Sequence, residues 1–278
     1  MIRLAVRVAR EQAGAALADL LAFSPSGVEE IEIDDATIEY VLYGAEHELP
    51  TLEMLHASLG AAVVAVDSRE IADDWQERWR EFHKPVVVAE RFRVRAPWHP
   101  AEPDGLIDLV IEPAQAFGTG AHATTRMCLE LLVTLAPGSG PLLDIGCGSG
   151  VLAIAAAKLG FAPVRAIDND PLAVAATAAN AAANDALLEA RQADLRTDAL
   201  APARTIVANL LLEPLLALAG RLERPPERLI ASGLLLGQGE ALAQEFAVRH
   251  DLHEIERRSE GEWLALLFGR PADPRVSS

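Results

Sequence analysis

Three glycines at alternate positions follow an acidic residue near the middle of the 278-residue chain. Segment 141–150 has the sequence PLLDIGCGSG, in which Asp144 precedes Gly146, Gly148 and Gly150. Glycine permits positive φ angles and lets a ligand approach the backbone closely. The alanine-rich segment that follows has the composition of a helix, whose first N–H groups would be available to a ligand. The pattern therefore predicts a nucleotide-type binding turn between a strand and a helix.

A second acid supports this prediction. Asp168 ends the predicted strand 164–168 and lies 22 residues after Gly146. An acid near this spacing accepts hydrogen bonds from ribose hydroxyls in nucleotide-binding folds. A dinucleotide fingerprint would need glycine where this chain has Val151, which disfavours a nicotinamide dehydrogenase. The alternative to a nucleotide-binding site is a tight turn beside a solvated Asp168.

Two further segments carry polar side chains that are suited to a site. Segment 116–125, with the sequence AFGTGAHATT, offers Phe117 as a cover for a pocket and Thr125 as a hydroxyl at a helix start. Its His122 is a candidate proton acceptor, although a structural role in the loop is favoured. Asn209 follows the predicted strand 205–208, at the end where open α/β sheets place ligands. A helix cap is the alternative role for Asn209.

Composition narrows the class of protein. The net charge of −17 disfavours direct nucleic-acid binding, which needs clustered lysine and arginine.

Cys128 and Cys147 are too few for a disulfide framework, and Cys147 is interpreted as a small packing residue. No segment has the length and hydropathy of a membrane span, and the first residues lack the apolar core of a signal peptide. A cytoplasmic protein without a metal site is expected.

Residues 1–66 are predicted to form a separate small domain. Their elements follow the order β-α-β-β-α-β of a ferredoxin-like α+β domain. Residues 1–60 contain three arginines, no lysine and eleven acidic residues, which suggests a docking surface for a basic partner or an ordinary solvated surface. Residues 67–100 are predicted to be a connecting helix and linker. The helix would span 67–85 and carry Trp75, Trp79 and Phe82 on one face for packing. A β-rich stretch is predicted to follow, with strands at 85–88, 91–95 and 106–112.

Residues 101–270 alternate strands and helices, which indicates a parallel sheet covered on both faces. Strands are predicted to end near Ile145, Asp168, Asp194, Ala208 and Ser232. The last segments, 253–258 and 263–269, have no helix between them and predict an antiparallel hairpin. The tail 271–278 is expected to be disordered.

These motifs together resemble the ribosomal protein L11 methyltransferase (PrmA) family. The segments that carry the resemblance are FGTGAHATT at 117–125, DIGCGSG at 144–150, DNDP at 168–171, ANLL at 208–211 and SGL at 232–234. The FGTG segment with its histidine and paired threonines is the most specific of them. The resemblance extends from residue 1 to about residue 269.

The resemblance implies a Rossmann-like seven-stranded α/β domain that binds S-adenosylmethionine, preceded by a ferredoxin-like substrate-recognition domain. It implies a monomer that methylates lysine or N-terminal amines of a small basic ribosomal protein. Asn209 would orient the amine, and Asp194 would lie near the adenine. The implied cofactor-binding residues are Phe117, Thr125, Gly146, Gly148, Asp168, Asp194 and Asn209.

Three departures from the family pattern leave alternatives open. The chain has Glu112-Pro113-Ala114 where the family usually has Asp-Pro-Gly, Leu210 where it has Ile, and Trp79-Arg80 where it has Trp-Lys. A methyltransferase acting on another protein lysine or on a small molecule is therefore the first alternative. The second is a protein that binds S-adenosylmethionine without turnover.

Overall fold

The computed structural model describes residues 2–23, 28–34, 36–44, 48–70, 83–113, 120, 122–138 and 140–270. These residues form two compact units. The first contains the described residues up to Lys84, and the second begins at Pro85. The tail 271–278, predicted to be disordered, lies outside the described residues.

The first unit is a four-stranded antiparallel sheet with two helices. Its strand order is β2-β3-β1-β4, which with the chain order confirms the ferredoxin-like prediction. Alternation along the first strand buries Leu4, Val6 and Val8. The elements are β1 (Ile2–Ala9), α1 (Ala13–Phe23), β2 (Glu29–Glu32), β3 (Thr37–Gly44), α2 (Leu52–Leu59) and β4 (Val63–Glu70).

The segment after residue 66 differs from the prediction. Residues 67–70 continue β4 and pair antiparallel with β1, with Asp67 opposite Ala5 and Glu70 opposite Ile2. The predicted helix over 67–85 is therefore wrong at its first four residues, because ladder pairing along the whole of β1 prevails over local composition. Its aromatic positions Trp75, Trp79 and Phe82 lie outside the described residues.

The second unit begins with a small three-stranded sheet of order β5-β6-β7. The first pair is antiparallel and the second is parallel. Residues 86–95 thus belong to a sheet of this unit. Its strands agree with those predicted at 85–88 and 91–95, although the predicted domain boundaries place them in the linker. The strands are β5 (Val86–Val88), β6 (Phe92–Arg95) and β7 (Ile107–Val110).

A seven-stranded sheet follows, with the order β10-β9-β8-β11-β12-β14-β13. The first five strands are parallel and β14 is antiparallel to both neighbours, which confirms the predicted terminal hairpin. The strands are β8 (Leu142–Ile145), β9 (Val164–Asp168), β10 (Leu188–Gln192), β11 (Thr205–Asn209), β12 (Arg228–Leu235), β13 (His253–Glu260) and β14 (Trp263–Gly269). The helices are α3 (Ala123–Thr134), α4 (Val151–Lys158), α5 (Pro171–Ala183), α6 (Leu212–Arg221) and α7 (Gly239–His250).

Strand order reverses at β8. The chain continues from β8 to β9 and β10 on one side, then returns to β11 and β12 on the other. In open α/β sheets, ligands bind outside the carboxyl ends of the strands at such a point. The fold therefore predicts a ligand site at the carboxyl ends of β8, β9 and β11.

The described ranges contain no helix long and apolar enough to cross a membrane. Within the same ranges, histidine, cysteine, aspartate and glutamate side chains do not form a group of three or more that would hold a metal ion.

Candidate functional site

Strand register brings three of the predicted site residues into one row. Ile145 of β8 pairs with Ile167 of β9 and with Ala208 of β11. The row one residue further along these three strands consists of Gly146, Asp168 and Asn209. Residues that are distant in sequence therefore meet at the carboxyl edge of the sheet.

The glycine turn between β8 and α4 takes conformations that favour glycine. Gly146, Gly148 and Gly150 have φ angles of 73°, 51° and 80°. A Cβ atom on Gly146 would lie 2.3 Å from Cδ2 of Leu210. One on Gly150 would lie 2.8 Å from Cγ2 of Thr177. The turn is therefore held close to its neighbours, with its backbone accessible to a ligand.

Asp168 is tied to this turn through its carboxylate. The Gly148 N–H donates to Oδ2 of Asp168 at 3.0 Å, and the Asp170 N–H donates to Oδ1 at 3.0 Å. The side chain is partly exposed. Each carboxylate oxygen has more than one lone pair, so the group still has acceptor capacity for ligand hydroxyls.

Asp144 lies fully buried just before the turn. The Ala153 N–H donates to its Oδ2 at 3.1 Å, and Oδ1 has no hydrogen-bond partner in the described part of the chain. Burial raises the pKa of Asp144 to about 7, and the negative charge of Asp168 adds to the shift. The site thus contains an incompletely paired carboxylate beside the turn.

Helix α5 holds the turn from the other side, through residues that the sequence argument did not identify. Thr177 donates to the carbonyl oxygen of Gly148 at 3.0 Å. Asn180 donates from Nδ2 to the Ser149 carbonyl oxygen at 2.9 Å and accepts the Glu112 N–H at 3.1 Å. A signal was present in the sequence, because Thr177 and Asn180 are polar residues three apart on one face of an alanine-rich helix.

Asn209 contacts the start of α3. Its Nδ2 lies 3.2 Å from Oγ1 of Thr124 and 3.5 Å from Oγ1 of Thr125. Both threonines are buried. Asn209 is therefore oriented by side chains from a different element and does not serve as the cap of the following helix, whose N-cap position is Leu211.

His122 is the N-cap of α3. Its Nδ1 accepts the Thr124 N–H at 3.4 Å, and its ring packs edge-on against Trp263 with centroids 5.0 Å apart. Burial, with the nearby positive charge of Arg126, lowers the pKa of His122 to about 4, while Glu260 opposes the shift. An imidazole with this pKa is a weak proton acceptor at neutral pH, which supports a structural role.

The remaining predicted residues have different outcomes. Asp194 lies two residues beyond the end of β10 and begins a turn, because its Oδ1 accepts the Arg196 N–H at 2.8 Å. The preceding residue, Ala193, donates its N–H to the carbonyl oxygen of Asp168 at 2.8 Å, which ties this turn to the end of β9. Phe117 lies outside the described residues. Cys147 is buried and its pKa is raised to about 12, mainly by burial, as expected of a packing residue.

Comparisons with known proteins agree with this geometry. The family model described as Ribosomal protein L11 methyltransferase (PrmA) matches residues 6–271. A ribosomal protein L11 methyltransferase of Geotalea uraniireducens is 40% identical over 213 residues, covering 70% of this chain and 67% of the relative. One from Chromohalobacter salexigens is 36% identical over 254 residues, covering 84% of this chain and 83% of the relative.

A solved structure shares both sequence and fold. The crystal structure of ribosomal protein L11 methylase from Lactobacillus delbrueckii subsp. bulgaricus is 28% identical and has a TM-score of 0.61. The match covers 68% of this chain and 99% of that one. The extent of the family match and the identity to these relatives show that this chain belongs to the ribosomal protein L11 methyltransferase family.

Proposed function

We propose that this chain transfers methyl groups from S-adenosylmethionine to amino groups of ribosomal protein L11. Family membership supports the reaction and the substrate. The single structural observation that carries the proposal is the row of Gly146, Asp168 and Asn209 at the carboxyl edge of the sheet. That row combines a backbone cradle, a ribose acceptor and an amide for orienting an amine in one place.

The residues at the turn fit S-adenosylmethionine. Asp168 would accept hydrogen bonds from the ribose hydroxyls, and the positive-φ turn at Gly146 and Gly148 would admit the ligand close to the backbone. The buried Oδ1 of Asp144 has no partner in the described residues, which makes this region favourable for a positively charged ligand. Asp194 would lie near the adenine, and Thr125 and Asn209 would complete the site.

The cofactor supplies an electrophilic methyl group on a positively charged sulfur, and attack by a neutral amine forms the N–C bond, breaks the C–S bond and leaves the sulfur neutral. The amine must first lose a proton. At pH 7 this costs about 4.6 kcal/mol for a lysine of pKa about 10.4, and about 1 kcal/mol for an α-amine of pKa about 7.7. Burial of the amine beside a positive charge lowers the first cost.

The chain would therefore promote the reaction by positioning the amine and would not supply a strong base to remove its proton. Asn209 would orient the amine through its side-chain carbonyl, because an in-line displacement depends mainly on alignment. His122, with its lowered pKa, is poorly suited to remove the proton. The proton that the ammonium loses before attack would pass to water, and the product would form as a methylammonium group.

The first unit would recognise the substrate. Residues 1–60 contain eleven acidic residues against three arginines. Arg3 and Arg7 both donate to Glu39, at 2.6 and 2.8 Å, and Arg10 donates to Glu32. Since the three arginines of residues 1–60 have acidic partners, this segment has a clear excess of acidic side chains, which is suited to a basic protein.

We further propose that the chain acts as a cytoplasmic monomer and does not bind nucleic acid directly. Its net charge of −17 opposes contact with phosphate. The ribosomal substrate supports the location.

The test is a transfer assay with radiolabelled S-adenosylmethionine. Purified L11 is the substrate, and a second basic ribosomal protein of similar size is the control. We expect label on L11 and little on the control. If L11 remains unlabelled while another protein or a small molecule in a lysate takes up the label, the proposed substrate is wrong.

A further inference from the structure

A hydrogen-bonded relay of side chains connects the start of α3 to the end of β11. Oγ1 of Thr124 lies 2.8 Å from Nδ1 of His122 and 3.2 Å from Nδ2 of Asn209. Thr124 is only 1% exposed, so bulk water does not replace these contacts. The role given above to Asn209 does not explain why its partner threonine should in turn bind a histidine.

The direction of each hydrogen bond in the relay follows from chemistry. The Thr124 backbone N–H points at Nδ1 of His122 at 3.4 Å and can only donate, which favours the tautomer in which Nδ1 carries no proton. In that tautomer the Thr124 hydroxyl, 2.8 Å from Nδ1, donates to it as well, and the two donors share the single lone pair of this nitrogen, with the hydroxyl making the shorter contact. Having used its one proton, the hydroxyl oxygen can only accept from Asn209. The side-chain amide of Asn209 is thus held with Nδ2 toward Thr124, so that Oδ1 is the amide atom available to a substrate.

The orientation of this amide decides whether an amine can react. Oδ1 accepts an N–H from a neutral amine and leaves the nitrogen lone pair available for attack. A flipped amide would present Nδ2, which donates to that lone pair and blocks it. We propose that His122 is a positioning residue for methyl transfer, which acts through the Thr124 hydroxyl to keep Oδ1 of Asn209 available to the amine. This inference rests on the proposed function.

Substitution of Thr124 separates this role from helix capping. Thr124→Val removes the hydroxyl but keeps the backbone N–H that binds His122, whereas Thr124→Ser keeps the hydroxyl. We expect kcat for L11 methylation to fall about 10- to 100-fold in Thr124→Val and to stay near wild type in Thr124→Ser. Because Asp168 and the glycine turn are unchanged and only Asn209 is disturbed, the Kd for S-adenosylmethionine should change by a clearly smaller factor than kcat.

Substitution of His122 is the second part of the test. His122→Asn retains a side-chain acceptor at the N-cap and should keep kcat near the wild-type value. His122→Leu has no acceptor, so its kcat should fall as it does in Thr124→Val. NMR of the histidine ring nitrogens should show Nδ1 unprotonated and hydrogen-bonded in the wild type, with a shifted Nδ1 signal in Thr124→Val.

Wild-type kcat in a folded Thr124→Val protein would overturn the relay, as would a protonated Nδ1 at neutral pH. Equal losses in all four variants, together with lowered unfolding temperatures, would also overturn it, because they would indicate a purely structural role. Failure of the proposed function looks different: the wild-type protein itself would not methylate L11.

Discussion

The backbone N–H of Gly148 donates to the carboxylate of Asp168 at 3.0 Å, and this bond joins the turn after β8 to the end of β9. The two residues belong to different motifs of the sequence. Their contact makes one binding surface from a backbone cradle and an acidic side chain.

Replacement of Asp168 should weaken cofactor binding. Asp168→Ala would remove the proposed acceptor for the ribose hydroxyls, and hydrogen bonds to a charged group contribute about 1.5–3 kcal/mol, so we expect a loss of roughly 10- to 100-fold in affinity. Isothermal titration calorimetry with S-adenosylmethionine measures it. Asp185→Asn is the matched control, because Asp185 is exposed and its φ of 51° suits asparagine. Unchanged affinity in Asp168→Ala would contradict the assignment of the site.

A methyl group on the first glycine of the turn should be costly. Gly146→Ala combines a φ of 73° with a Cβ that would lie 2.3 Å from Leu210. We expect a loss of about 1–3 kcal/mol of unfolding free energy, together with weaker cofactor binding. Gly220→Ala is the control: Gly220 lies in α6 with open space around it, and alanine there should add about 0.5–1 kcal/mol. Urea denaturation of both variants distinguishes the two sites. Similar effects at both positions would show that the turn is not constrained as described.

The side chain of Asn180 should matter for both stability and binding. Asn180→Ala removes the buried hydrogen bonds to the Glu112 N–H and to the Ser149 carbonyl, which we expect to cost about 2–4 kcal/mol. Because Ser149 lies within the glycine turn, cofactor affinity should fall as well. Ala179→Ser changes an exposed neighbour and should be nearly neutral. If Asn180→Ala binds the cofactor as the wild type does, the helix does not position the turn.

The raised pKa of Asp144 predicts that the free energy of unfolding depends on pH in an unusual way. The folded pKa of about 7 lies above the ordinary value of 3.8, so the folded state holds the proton more tightly than the unfolded state. This contribution to stability is complete below about pH 4 and is lost as the pH rises to about 7. Asp144→Asn keeps an oxygen for the Ala153 N–H but does not ionise.

The stability of Asp144→Asn relative to the wild type should therefore increase between about pH 4 and pH 7. Urea denaturation of the cofactor-free proteins at the two ends of this range checks the change. A difference that is the same at both pH values would contradict the raised pKa.

Local patterns in the sequence were sufficient for much of the fold. The Asp144–Gly150 motif, the alternation of strands with helices and the terminal hairpin each predicted an element that the structure contains. The ferredoxin-like order of the first unit was also predictable, because period-two alternation and turn residues are local properties. The structure likewise places Gly146, Asp168 and Asn209 in one row, as expected of residues that follow parallel strands.

Other features depend on contacts between distant segments. Strand β4 extends to Glu70 because it pairs with β1, which composition around residue 67 does not reveal. The bond from Asn180 to Ser149 joins residues 31 positions apart, and the bond from Asn209 to Thr124 joins residues 85 positions apart. Hydrogen bonds of this kind depend on tertiary structure, so local motifs indicated the residue types and not their partners.

We propose that this chain methylates ribosomal protein L11 through the surface formed by the glycine turn and Asp168. The most direct measurement is the intact mass of purified L11 after incubation with S-adenosylmethionine and the chain, followed by peptide mapping. We predict added methyl groups on lysine side chains or the N-terminal amine with the wild type, and far fewer with Asp168→Ala. An unmodified L11 in the presence of wild-type protein that binds the cofactor would contradict the account.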